Sequence, residues 1–146
     1  MENLRLSEHY YLYDLIKSET AYKMKIHEQY EPSAYIINNL SNLAFHVLDN
    51  VKWKFPDVKV TSGYRCERLN KIVGGVSNSQ HIIGQAADLV CDNMVGLWEY
   101  LQELYFDQLI QEVDHIHVSY NLQKNRNAVI IKWLPKGDIL KQKKIR

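Results

Sequence analysis

Apolar residues along this chain follow two periods, and the change between them divides it. Ile36, Leu40, Leu43, Ala44, Val47, Leu48 and Val51 recur at helical spacing and make one stripe. Ser33 stands ahead of them, where its hydroxyl can accept from free amides of a first turn. Pro56-Asp57 ends this scaffold helix, and His46 sits beside the stripe as a core-edge histidine. Upstream, residues 4–17 place Leu4, Leu12, Leu15 and Ile16 among tyrosines and read as a short helix or two turns. The polar stretch Ser18 to Glu31 reads as a surface loop.

Beyond Pro56 the alternation typical of strands takes over. Val58 to Ser62 alternates. Cys66 to Val73 reads as a short helix ending at Gly74-Gly75, which suits a left-handed cap. After the Ser77 to Ser79 loop, Ala86 to Cys91 is a second strand, and Met94 to Tyr105 a helix with Leu97, Leu101 and Leu104 inward. Three β-rich segments follow, Gln108 to Val113, His115 to Tyr120 and Ala128 to Trp133. The polar run Asn121 to Asn127 predicts that the last two form a hairpin. Helices early and strands late predict an α+β fold, a single domain with a mainly antiparallel sheet and helices packed on one side.

Composition narrows the partners. At 146 residues one domain is expected, spanning 1–140, with a basic, disordered tail at 141–146. A net charge of +1 provides no electrostatic footprint for nucleic acid. No apolar run reaches the length of a membrane span. The first residues lack the apolar core of a signal peptide, so synthesis is expected to end in the cytoplasm. Cys66 and Cys91 lack CxxC spacing and read as two buried free thiols. Gly74, Gly75 and Gly84 read as turn formers, since no phosphate-loop spacing or following helix accompanies them.

The candidate chemistry lies between Thr61 and Asp88 and again at Asp114-His115-Ile116-His117. His81 and Asp88 form an H-x6-D pair whose nitrogen and carboxylate oxygen are both zinc donors. With His117 they make two histidines and one aspartate, leaving an open fourth position of the kind a catalytic zinc needs. Strand periodicity sends His115 and His117 to one face, so either or both could bind metal. It puts Asp114 on the opposite face unless the chain turns or bulges there. Spacing alone does not decide between these.

Ser62-Gly-Tyr-Arg65, Leu69-Asn70, Val73-Gly-Gly75, Ser79-Gln-His81, Gly84-Gln-Ala-Ala-Asp88 and His117-Val-Ser119 together resemble the M15 family of zinc peptidases. Phe106-Asp-Gln-Leu-Ile110 resembles the segment before that family's last ligand, and the likeness runs from about Leu6 to Trp133. The family holds D-Ala-D-Ala carboxypeptidases and dipeptidases, and phage endolysins cutting L-alanyl-D-glutamate bonds. The resemblance implies a Hedgehog/DD-peptidase-like fold with one Zn2+ at the sheet, held by His81, Asp88 and His117. It implies Asp114 as the catalytic acid/base and Arg65 as the holder of substrate carboxylate or carbonyl oxygens, a task suited to a planar guanidinium. Ser79 and Gln80 would line the approach. His115, standing where many relatives carry tryptophan, joins the substrate-binding group, and Cys66 stands where serine is common.

The implied function is hydrolysis of an amide bond in peptidoglycan stem peptides, by a monomer that reaches the wall when released or virion-carried. The alternative is a binding or structural module that keeps the fold and zinc without turnover. Asp114 weighs for the enzyme, because such a module needs no base.

Overall fold

The computed structural model describes residues 3–132, so Trp133 and the basic tail at 141–146 lie outside the described residues. The first helices are α1 (Leu12–Ile16) and α2 (Glu19–Lys23), followed by a 3-10 turn (His27–Tyr30). The expected surface loop over 18–31 is therefore largely helical. Ser18 Oγ accepts from Ala21 N at 3.1 Å and starts α2, and Ala21 and Ile26 are fully buried beneath it. Gln29 is the most deceptive residue of the stretch, polar in sequence yet fully buried. Its Nε2 donates to the carbonyls of Ile16 (2.7 Å) and Tyr64 (2.8 Å), and its Oε1 accepts from Cys66 N at 2.8 Å. One satisfied amide thus ties α1 to the segment that leads into the candidate site.

The scaffold helix is built as the stripe predicts, with Ser33 Oγ accepting from Ile36 N. It comprises α3 (Ala34–Leu43), a π turn (Ala44–Leu48) and α4 (Asp49–Lys54). Leu43 and Asp49 keep right-handed helical angles, so the three parts run on without a break. Leu40, Leu43, Ala44, Val47, Leu48 and Val51 are all fully buried. His46, half-buried in the π turn, stacks on Tyr120 with ring centroids 4.6 Å apart.

The remaining elements are β1 (Lys59–Ser62), α5 (Glu67–Ile72), β2 (Ala86–Val90), α6 (Met94–Leu101), β3 (Gln108–Gln111), β4 (Ile116–Ser119) and β5 (Ala128–Ile131). The five strands form one sheet in the order β1-β2-β4-β3-β5. All neighbours pair antiparallel except β3 and β5, which run parallel. The expected hairpin between the last two strands is thus corrected: β4 forms its hairpin with β3, and β5 crosses to the far side of β3. Buried Asp107 explains the crossing, because its carboxylate takes a two-pronged contact from Arg126 Nε and Nη2, both at 2.8 Å. Asn127 N donates to Phe106 O and Ala128 N to Asp107 O, which docks the returning chain beside β3.

Ala87 and Leu89 of β2, with Ile116 and Val118 of β4, join α3 and the π turn in one core. Strand alternation sends Asp88 and His117 to the opposite face, and these two are direct cross-strand partners. Of the two thiols, Cys66 is buried as expected, whereas Cys91 is only half-buried. Cys66 begins α5, with Sγ accepting from Leu69 N.

Candidate metal centre

Asp88 is the hub of the site. It is 8% exposed, and one of its oxygens, Oδ1, faces His81 Nε2 at 3.2 Å and His117 Nδ1 at 3.3 Å. His115 Nε2 approaches the same oxygen at 3.7 Å. The β2–β4 register explains His117, and a loop explains His81. That loop turns at Gly84, where φ is +75° and the α3 backbone at Ile36 leaves no room for a side chain. Ser79 Oγ accepts from His81 N at 3.2 Å, and Arg65 N donates to His81 O at 3.1 Å. The donor atoms of His81, Asp88 and His117 all lie within 4.8 Å of one another.

Gly63, whose role was not legible in the sequence, fixes the tautomer of His81. His81 Nδ1 lies 2.6 Å from the Gly63 carbonyl, an oxygen that can only accept. Nδ1 therefore carries the proton, and the lone pair of Nε2 points at the Asp88 carboxylate. Two acceptors at 3.2 Å repel unless a cation or a second proton lies between them. Burial pushes the pKa of His117 down, more than the neighbouring Asp88 raises it, which favours the neutral, ligating form. Burial also pushes the Asp88 carboxyl up, but a hydrogen bond from His117 and, once Nε2 takes up a second proton, one from His81 outweigh it and hold Asp88 below the usual carboxylate range. Two ring nitrogens, one carboxylate oxygen and an oriented outer carbonyl fit a metal ion with an open position.

The family model described as Peptidase M15 matches residues 10–119, three-quarters of the chain and every residue of this cluster. The chain belongs to the peptidase M15 family. Membership supports a metallopeptidase, and the cluster fits the metal site such an enzyme requires. No curated protein matches the chain significantly. Among the described residues no helix is long and apolar enough to cross a membrane.

The other predicted M15 site residues have these surroundings. Asp114 lies in the tight turn of residues 112–115 between β3 and β4, where Glu112 N donates to His115 O at 3.0 Å. Strand alternation stops at this turn, and the Asp114 side chain meets its neighbour His115, whose other ring nitrogen faces Asp88. The Asp114 carboxylate Oδ1 meets His115 Nδ1 at 2.7 Å and its side chain is 81% exposed, open to an incoming molecule. Arg65 forms no ion pair among the described residues, and its buried Nε has no partner. Burial lowers its pKa and the charge of Asp88 partly offsets this. Gln80 is engaged below the site, donating to Asp107 Oδ2 at 2.7 Å. Of the pair that braces Gln80, Asp107 lies in the Phe106–Ile110 segment of the M15 likeness, and Arg126 carries no motif signal.

Gly63→Ala tests the outer carbonyl. An added Cβ would lie 3.1 Å from Leu15 Cα and closer still to its carbonyl oxygen, so the Gly63 backbone must shift. We expect metal affinity to fall about 10–100-fold, with stability down by about 1–3 kcal/mol. Chelator competition and thermal melts separate the two; unchanged affinity with a lower Tm would make Gly63 a packing residue only.

Proposed function

We propose that this M15 protein is a zinc peptidase hydrolysing an amide bond in peptidoglycan stem peptides. The observation that carries the reading is the convergence of His81 and His117 on one oxygen of Asp88, with His115 approaching the same oxygen and holding the exposed Asp114 carboxylate on its other ring nitrogen. In this reading His81, Asp88 and His117 hold the metal. Zinc there would supply Lewis acidity, polarising a scissile carbonyl and bringing water toward ionisation near neutral pH.

The chain's own groups then have separate tasks. Asp114 takes a proton from the attacking water and returns it to the amine as the C–N bond breaks, so one water yields one carboxylic acid and one amine. His115 holds Asp114 through the 2.7 Å contact to Nδ1. Arg65, buried at Nε and without an anionic partner among the described residues, binds a carboxylate or carbonyl oxygen of the peptide. Ser79 shapes the loop that presents His81, and Gln80 supports the same loop through Asp107.

Mass spectrometry of defined muropeptides incubated with the zinc-loaded protein tests this. Loss of a terminal D-alanine would identify a carboxypeptidase, and a cut between L-Ala and D-Glu an endopeptidase. No product from protein with zinc demonstrably bound would leave a non-catalytic, zinc-holding module.

A further inference from the structure

A cleft of about 680 Å3 is lined in part by the segment that leads from β1 to α5, within the size range of small-ligand sites. One wall includes Thr61, Ser62 and Arg65. This is the segment whose Gly63 carbonyl orients His81 and whose Ser62 is the register partner of Asp88. The lining also includes Tyr13, Lys17 and Tyr22, from the α1–α2 region. The cleft therefore shares the 61–65 segment with the metal centre, while His81, Asp88 and His117 lie outside its lining.

Its charge is unbalanced. Glu19, the acidic group of the lining, is already taken by Lys23 at 2.7 Å. Lys17 and Arg65 form no ion pair among the described residues, and Arg65 Nε is buried without any partner. A buried donor left unsatisfied is costly until an acceptor arrives. Tyr13 and Tyr22 are 53% and 78% exposed, offering flat apolar faces between the polar groups. Two free cations, hydroxyls and aromatic faces together suit an extended peptide that carries a carboxylate on a side branch or at its far end.

We propose that this cleft is the subsite for the part of the substrate remote from the scissile amide, with Lys17 reading a carboxylate there and Arg65 at the junction with the metal centre. The proposal rests on the peptidase reading and adds to it a residue, Lys17, that selects among peptides. Interactions of this kind act equally on bound substrate and transition state, so they move KM and leave kcat alone.

The test uses two probes, a stem peptide with free carboxylates and the same peptide with its remote carboxylate amidated. Binding of both to the zinc-loaded full chain is measured by calorimetry, with the Asp114→Ala variant preventing turnover. In that background Lys17→Met should weaken binding of the free-carboxylate peptide about tenfold and leave the amidated one unchanged. In the active protein the same substitution should raise KM about tenfold at constant kcat, and Lys17→Glu should raise it further. Lys17 is exposed, so neither change should disturb folding. Equal binding losses for both peptides, or none for either, would overturn the subsite even if cleavage continues. Lys17-dependent binding of the free-carboxylate peptide without cleavage by the wild-type chain would instead retain the subsite and sink the peptidase reading.

Discussion

Replacing Asp114 with alanine is expected to lower kcat by about 10²–10⁴-fold, the usual contribution of a positioned acid/base, while the metal stays bound. The geometry separates the two effects. Asp114 lies outside the group formed by His81, Asp88 and His117, whose donor atoms cluster without it. Its contact is instead with His115 Nδ1 at 2.7 Å. Metal analysis beside steady-state kinetics reads the outcome, and loss of metal with loss of turnover would make Asp114 a ligand. His115 sharpens the test, because its Nδ1 is the atom that tethers the carboxylate. His115→Asn keeps a donor near that position and should preserve most of kcat. His115→Phe removes it and should lower kcat with the metal retained. If both variants behave alike, the tether has no part in turnover.

Asp88→Asn should cost the protein its metal. The substitution keeps the shape of the side chain, so the β2–β4 pairing at His117 is left in place. It removes the charge that one oxygen presents to both His81 and His117. The new amide could also donate to the lone pair of His81 Nε2, satisfying the site without a cation. Affinity should fall by more than about 100-fold, beyond the loss typical of an outer-shell partner, and turnover should vanish with it. Elemental analysis after dialysis against a weak chelator decides this, and stoichiometric zinc in the variant would remove Asp88 from the ligand set.

The metal-free proteins should also differ in acid. The folded-state pKa of Asp88 is held below its ordinary value of 3.8. Its ionised form therefore contributes stability above that value, and the contribution is lost as pH falls toward the folded-state pKa. Urea melts below about pH 4 should show a larger loss in the wild type than in Asp88→Asn, because Asp107 beside Arg126 titrates in both.

Much of this could be read from the chain because the signals were local. The stripe from Ile36 to Val51 marks a buried helix face wherever it occurs, and six of its seven residues are fully buried. Histidine and aspartate are the residue types that bind metal, so His81, Asp88 and His117 stood out by their chemistry, and the M15 motifs grouped them. Ser33 and Gly74 mark a helix start and a left-handed turn for equally local reasons.

Tertiary structure decided what depends on partners far apart in the chain. The carbonyl that orients His81 belongs to Gly63, and a backbone carbonyl is the same group at every residue. The burial of Gln29 depends on Ile16, Tyr64 and Cys66 meeting around it. The parallel course of β5 follows from the Asp107–Arg126 pair, which outweighed the local preference for a hairpin. The course of the chain at Asp114 was set by a four-residue turn that strand periodicity does not describe. The sequence by itself determined which groups could do the chemistry, because side-chain identity and local period are written residue by residue. Their convergence on a single oxygen of Asp88 was decided only by the fold, because strand register and loop closure are non-local.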